Sequence, residues 1–288
     1  MVSQWEYQFN GIRWGGENAS IQVDEVTGLG IPDLRESTEP RLVDDGEYAD
    51  ARFMSARRVL FTGRIAANRA DKTWEDLSEL AAALVPRRDG RPLPLSFWLG
   101  DSRVKEIHCI PTRPLAYAID RRYANGVISW AAEFLAGDPR IYETELRQIS
   151  IQPRSLSQKG IRFPVRFPIN FGGGTSGLGQ AKNDGTIPTP PYVVIRGPAL
   201  NPLVKHEDKE QSLKFTITLT PDDYLSIDFV NRLVNLNGEV SRYSTKDPTS
   251  EWWELAPGVN NLSFIADQVN EITTLATVTW QSAWPAAI

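Results

Sequence analysis

Cysteine, histidine and methionine are nearly absent from this chain of 288 residues, which has one Cys, two His and two Met. A single cysteine, Cys109, excludes an internal disulfide and any zinc or iron–sulfur site built on thiolates within one chain. As a small apolar side chain it is expected in a core. His108 and His206 are the only imidazoles, too few for a catalytic zinc, which takes three protein ligands, and poorly placed for a His-based nucleophile system. His108 lies in the alternating run VKEIHCI and is expected half exposed on a strand; His206 lies in KHEDKEQ and is expected in a solvated turn. There is no run of about 18 apolar residues, so no spanning helix and no membrane insertion is expected. The N-terminal stretch MVSQWEYQFNGIRW lacks the apolar core of a signal peptide, so the chain is expected to be made and kept in the cytoplasm. Asn18-Ala19-Ser20 and Asn261-Leu262-Ser263 match the glycosylation pattern, but that chemistry needs secretion. Nor is there a basic excess. The net charge is −5, with 19 basic and 23 acidic side chains in residues 1–150 and 12 and 13 in the remainder. That balance gives no electrostatic grip on nucleic acid.

What is present is apolar and aromatic: a hydrophobic share of 41% with nine tryptophans, enough for a sizeable core and, at this length, for two domains. Three zones follow from texture. Residues 1–151 hold short strand-like runs (WEYQF, SIQV, RRVLFTG, LPLSFWL, VISWAAEFL) interrupted by one helical segment, DKTWEDLSELAAALVP. Its Trp74, Leu77, Leu80, Ala81 and Leu84 share a face, Thr73 is placed to cap the start, Glu75 and Asp76 suit the first turn and Pro86 ends it. Residues 152–191 are dense in Gly and Pro without an apolar period and read as a linker or extended arm. Residues 192–288 are strand after strand, with SLKFTITL and DYLSIDF alternating cleanly. Turn signals at Asp222-Asp223, Asn237-Gly238 and Pro257-Gly258 fall about every ten residues, as in an antiparallel β-sandwich.

Few motifs carry chemistry. Gly172, Gly174 and Gly177 satisfy G-x-G-x-x-G, but LGQAKNDGTIP after them is no helix, and a dinucleotide site needs one. Gly174 and Gly179 have the outer spacing of a P-loop, yet Gln180-Ala181 stands where Lys and Ser or Thr are required. The segment 172–179 therefore reads as a flexible loop. The acidic pairs Asp44-Asp45 and Asp222-Asp223 sit beside turn formers, where Asp caps backbone N–H groups, and nominate no hydrolase site. The stretch SEWWELAPG poses a geometric problem. On a strand, Trp252 and Trp253 point to opposite faces, so one enters the core and the other needs a cover: a bulge that turns both inward, a neighbouring chain, or a sugar stacked on the ring.

The C-terminal zone resembles the distal tail protein family of siphophages, especially those that infect Gram-positive hosts. The resemblance is carried in order by NDGTIPTPPYVVIRGPALNPLV, with Gly197-Pro198 and Asn201-Pro202; by DDYLSIDFVNRLVNLNG, with Asp228, Asn237 and Gly238; by SEWWELAPGVNNLSF, with Trp253, Pro257, Gly258 and Asn260; and by TVTWQSAW. The run DGEYADARFMSARRVLFTGRI and the helix after it resemble the family's first domain. The resemblance implies a mainly β chain: an N-terminal, ring-forming domain like a tail-tube protein, with a β-barrel or sheet and one packed helix, and a C-terminal galectin-like antiparallel β-sandwich. It further implies a virion structural protein at the distal end of the tail, in the baseplate or tail tip. That role is a homo-oligomeric, hexameric ring joining the tail tube protein and the tape-measure region to tail-tip, tail-associated proteins. No cofactor, metal or catalysis is implied. One tryptophan of the pair is then expected between the sheets, and the other beneath the linker or a neighbouring tail protein.

The alternative is a carbohydrate-binding sandwich that contacts host cell-wall polysaccharide. The galectin pattern His-x-Asn-x-Arg is not met, because Glu207, Asp208 and Lys209 follow His206.

Overall fold

The structure, a computed structural model, describes residues 5–36, 38–45, 47–49, 52–67, 70–100, 103–119, 121–155, 177–270 and 272–287. The fold is mainly β, with one α-helix among the described residues. It divides into two compact units, Met1–Thr144 with Trp284–Ile288, and Glu145–Ala283.

In the N-terminal unit the strands are β1 (Glu6–Phe9), β2 (Ile12–Gly15), β3 (Ile21–Thr27), β4 (Arg57–Ala66), β5 (Leu93–Trp98), β6 (Lys105–Pro111), β7 (Val127–Ala136) and β8 (Ile141–Glu143). They form an antiparallel sheet in the order β2-β1-β5-β6-β7-β4-β3, with β8 on β6. Strict alternation on β4 and β7 sends Val59, Phe61, Ile65, Ile128, Trp130 and Phe134 to one face. There they meet Tyr7, Phe9 and Trp14, with Trp14 stacked on Phe134 at 6.4 Å and edge-on to Trp130 at 6.4 Å. Burying a ring the size of Trp14 contributes roughly 4–6 kcal/mol before entropy is subtracted.

Helix α1 (Ala70–Ala83) buries Thr73, Asp76, Leu77, Leu80 and Ala83, with Leu84 just beyond it. It begins three residues before Thr73, so Thr73 is no cap; it lies inside the helix and its hydroxyl donates to Gly126 O at 2.9 Å. Trp74 and Ala81 flank the buried face in solvent-exposed positions, and the Trp74 indole N–H donates to the Tyr123 hydroxyl at 2.7 Å. Between β3 and β4 the chain runs out as an arm of short paired segments, Leu34–Arg35 with Phe53–Met54 and Thr38–Pro40 with Glu47–Ala49.

In the C-terminal unit the strands are β9 (Arg147–Ile151), β10 (Leu178–Asn183), β11 (Tyr192–Arg196), β12 (Ala199–His206), β13 (Gln211–Lys214), β14 (Tyr224–Asp228), β15 (Leu233–Leu236), β16 (Gly258–Asp267) and β17 (Leu275–Trp280). One sheet runs β9-β17-β11-β14-β15, and the other places β10 and β12 on β16, with β13 outside β12. Val193, Ile195, Leu225, Ile227 and Val278 of the first sheet share one core with Val204, Leu213, Leu262 and Phe264 of the second.

The domain limits differ from those read in the sequence. Composition changes at residue 152, but the fold changes at 144/145, because β9 pairs along β17 from Arg147↔Trp280 to Ile151↔Ala276 and so belongs to the second unit. The supposed linker 152–191 contributes β10, paired with β16 from Leu178↔Ser263 to Asn183↔Gly258, and bridges at Ile187 and Thr189. Gly and Pro mark irregular backbone, yet such backbone still pairs wherever a strand edge offers unsatisfied N–H and C=O groups. Residues 284–288 leave the second unit for the first. Gly172 and Gly174 lie outside the described residues.

Candidate functional site

The residues that carry the family resemblance can be placed one by one, and each is occupied in holding the sandwich together. A Cβ on Gly197 would stand 2.0 Å from Thr220 O, so only glycine fits there; Gly197 precedes Pro198 through a cis peptide, and the Pro198 carbonyl accepts from the Thr274 hydroxyl at 2.7 Å. Asn201 takes a left-handed φ of 51° at the irregularity in β12 between Leu200 and Leu203, while Pro202 O accepts the Phe215 N–H at 3.0 Å. Asp228 closes the next turn, accepting from Asn231 N–H and Nδ2 at 2.9 and 2.8 Å.

Asn237 and Gly238, at φ 53° and 78°, make the expected hairpin turn between β15 and the following short strand Val240–Ser241. The Asn237 side chain accepts Tyr224 N–H and donates to Asp223, both at 2.9 Å. Hydrogen bonds from Thr220 and Asn237 hold the Asp223 carboxyl below its usual range. Gly258 takes φ 90° directly after Pro257, as that turn requires.

The deepest of these groups is Asn260, 1% exposed. Its Nδ2 donates to Ala256 O (2.8 Å), Gly258 O (3.0 Å) and Ala181 O (3.3 Å); its Oδ1 accepts the Ala256 N–H (2.8 Å) and His206 Nε2 (2.9 Å). One side chain thus closes the Pro257-Gly258 turn, ties β16 to β10 and meets β12. His206 is therefore no solvated turn residue. It ends β12, in phase with Val204, and is 1% exposed. Burial pushes its pKa below the ordinary imidazole value, so it is held neutral with the hydrogen on Nε2. Nδ1 has no hydrogen-bond partner, and the Asp208 carboxylate stands 4.0 Å from it. His108, by contrast, occupies the half-buried strand position expected of it on β6.

The tryptophan pair resolves differently from a strand. Residues 251–254 are irregular, with one bridge at Leu255 to Thr189, so the two rings need not alternate. Trp253 is 2% exposed, edge-on to His206 at 5.5 Å. Trp252 is half-buried against the same core, and both rings pack on Phe229, at 5.1 and 4.7 Å. Phe229 of the same sandwich covers part of the Trp252 ring, which stays half-buried.

The group that sequence reasoning missed is Arg57, buried on the inward face of β4. Its Nη1 donates to Gly28 O and Gly30 O (2.6 and 2.5 Å), Nε to Pro139 O (2.7 Å) and Nη2 to Pro285 O (2.6 Å). Desolvation lowers its pKa to about 10, against an opposing pull from the Asp138 charge. The signal was in the alternation of RRVLFTGRI, which puts Arg57 in phase with Val59 and Phe61. At its base the arm is further fixed by Gly28, at φ 89°, where a Cβ would stand 1.8 Å from Arg58 O. Among the described residues, no three or more His, Cys, Asp or Glu side chains are grouped to hold a metal ion, and no helix is long and apolar enough to cross a membrane.

Residues 184–284 match the family model of the siphovirus-type tail component, C-terminal domain. The solved structure of phage SPP1 Dit (gp 19.1), described as a paradigm of the hub adsorption apparatus in phages that infect Gram-positive hosts, is similar to the chain at a TM-score of 0.63 and 13% identity, over 97% of this chain and 98% of that one. A chain of the activated phage P2 baseplate is similar at a TM-score of 0.50 and 10% identity, over 98% of each. At these identities the structural likeness is one of fold. No curated protein matches the sequence. Residues 184–284 thus carry a siphovirus-type tail component, C-terminal domain, and the fold along nearly the whole chain is similar to that of SPP1 Dit.

Proposed function

We propose that this protein forms a ring of six copies at the distal end of a siphophage tail, joining the last ring of the tail tube and the tape-measure region to the tail-tip proteins that engage the host. In this reading the N-terminal units are tail-tube-like and close the ring, the galectin-like sandwiches project from it, and the protein works by holding partners together, without cofactor or catalysis. The observation that carries the reading is the likeness to SPP1 Dit over both units. A second support comes from the buried and turn-closing polar groups themselves: in Asp228, Asn237 and Asn260 the hydrogen-bonding capacity is spent on turns and strand junctions, which is what a scaffold needs and a reaction centre does not.

Light scattering after size exclusion tests the ring. A mass near six times 32.2 kDa is expected. A monomer that stays monomeric when mixed with its tail-tube protein would remove the ring reading.

A further inference from the structure

A cleft of about 550 Å³ lies between the two ends of the N-terminal sheet. Tyr7 and Gly15 of the β1–β2 hairpin wall one side, and residues 22–26 of β3 with Arg64 of β4 wall the other. Trp5 lines it as well and is 58% exposed. The backbone at Trp5 is left-handed, at φ 67°, which is rare for a bulky residue. It is held there by two bonds, Trp5 N–H to Trp98 O at 2.9 Å and Gly16 N–H to Trp5 O at 3.0 Å. A Cβ on Gly15 would stand 2.2 Å from that same oxygen, so only glycine lets the chain close around Trp5. A strained residue, fixed from both sides and carrying an exposed indole, is a contact surface set in advance of its ligand.

The polar groups of the cleft narrow the ligand. Tyr7 is fully buried and its hydroxyl has no hydrogen-bond partner; burial pushes its pKa up to about 12, so it stays protonated. The register of β3 on β4 shifts between Val23 and Glu25, a bulge of the kind that re-aims side chains, and both Asp24 and Glu25 line the cleft. Asp24 pairs with Arg64 at 3.0 Å, with both side chains about half exposed. Counting Glu17, three carboxylates face one guanidinium, a net −2, which disfavours a phosphate or any other acidic ligand. Carboxylates only accept and a guanidinium only donates. A ligand that uses both must accept and donate at once, as sugar hydroxyls do and a simple cation does not. The C–H face of a pyranose, slightly positive, also suits the negative face of an indole.

We propose that this cleft binds a neutral saccharide of one or two pyranose rings, stacked on Trp5 and hydrogen-bonded through its hydroxyls to Tyr7 and to the paired Asp24 and Arg64. Its volume falls in the range of small-ligand sites. The cleft belongs to the N-terminal unit rather than to the sandwich, and to one copy of the chain, so a monomer is expected to bind as well as a ring.

Saturation-transfer NMR on the full chain tests this with four probes: methyl glucoside, methyl galactoside, N-acetylglucosamine and its β-1,4-linked dimer. At least one is expected to bind with a Kd of about 1 mM or tighter. Trp5→Ala, at a position already exposed, should weaken that binding about tenfold or more. Tyr7→Phe removes only an unpartnered hydroxyl, so it should leave the melting temperature unchanged or raised while weakening binding about fivefold. Trp74→Ala takes away an exposed ring outside the cleft in the same unit and should leave the Kd unchanged. Failure of all four sugars to bind overturns the proposal, as does binding that survives both Trp5→Ala and Tyr7→Phe, or that Trp74→Ala weakens equally. Binding of tetramethylammonium in place of the sugars would make the cleft a cation site and overturn it too.

Discussion

The two units treat their buried polar groups in opposite ways. In the C-terminal sandwich the work falls to neutral amides. Asn260 closes its own loop and meets two neighbouring strands, and Asn183 donates to Ile187 O and Leu255 O while accepting from Gly185 N–H. Each bond ends on the same sandwich. In the N-terminal unit a single charged side chain, Arg57, gathers carbonyls from residues 28, 30, 139 and 285 at the base of the arm between β3 and β4. A planar guanidinium offers five donors and no acceptor, so it gathers carbonyls alone, whereas an amide both donates and accepts. The sandwich ties its strands through amides, whereas in the N-terminal unit one buried charge holds four carbonyls together.

Substitutions can break this contrast, beginning with the largest effect. Trp253→Ala should destabilise the sandwich by about 3–5 kcal/mol, as loss of a fully buried ring does, while Trp252→Ala, half-buried, should cost about 1–2 kcal/mol. Urea unfolding followed by tryptophan fluorescence measures both, and equal costs would mean the two rings are not divided between core and margin.

Arg57→Met removes hydrogen bonds from a charged donor worth about 1.5–3 kcal/mol each, offset by relief of the buried charge, for an expected net loss of about 3 kcal/mol. Hydrogen exchange should quicken at residues 28–31 and stay unchanged in the strands of the sandwich. Faster exchange throughout both units would erase the distinction.

Asn260→Ala should cost about 2–3 kcal/mol, because the Ala256 N–H and His206 Nε2 are left without partners in a dry site. Exchange should quicken at Ala256 and along β10 and β16.

Asn237→Gly should lose about 0.5–1 kcal/mol, because glycine takes the positive φ but not the bonds to Tyr224 and Asp223, while Asn237→Ala should lose about 1–2 kcal/mol by adding backbone strain to the same lost bonds. A thermal melt of the two variants separates backbone strain from hydrogen bonding.

The smallest effect is the pH dependence from His206. Its folded-state pKa is depressed, so the unfolded chain binds the proton more readily and stability falls as pH drops below the ordinary imidazole value of about 6.5. Above that value His206 adds no slope. His206→Gln should flatten this part of the stability profile, and an unchanged slope would assign it to other groups.

Much of this was written in local pattern. Period-two alternation marked β6, β13 and β14, and strand-like runs marked β4 and β7; the positive-φ turns at Asn237-Gly238 and Gly258 were legible because few residue types tolerate that backbone; the mainly β class, the packed helix and the family resemblance followed from runs and their order. Tertiary structure decided the rest. Glycine and proline density could not show that residues 178–183 become a strand, because pairing depends on an edge supplied by β16, some 80 positions later. The double tryptophan looked like a two-faced strand, and only the placement of Phe229 shows both rings on one core. His206 looked solvated among Lys, Glu and Asp, yet Asn260, distant in sequence, takes its proton-bearing nitrogen into the interior. Sequence determines what each short segment can do with its own backbone and its own period; which distant segment satisfies its remaining donors, acceptors and apolar surface is fixed only when the chain has closed.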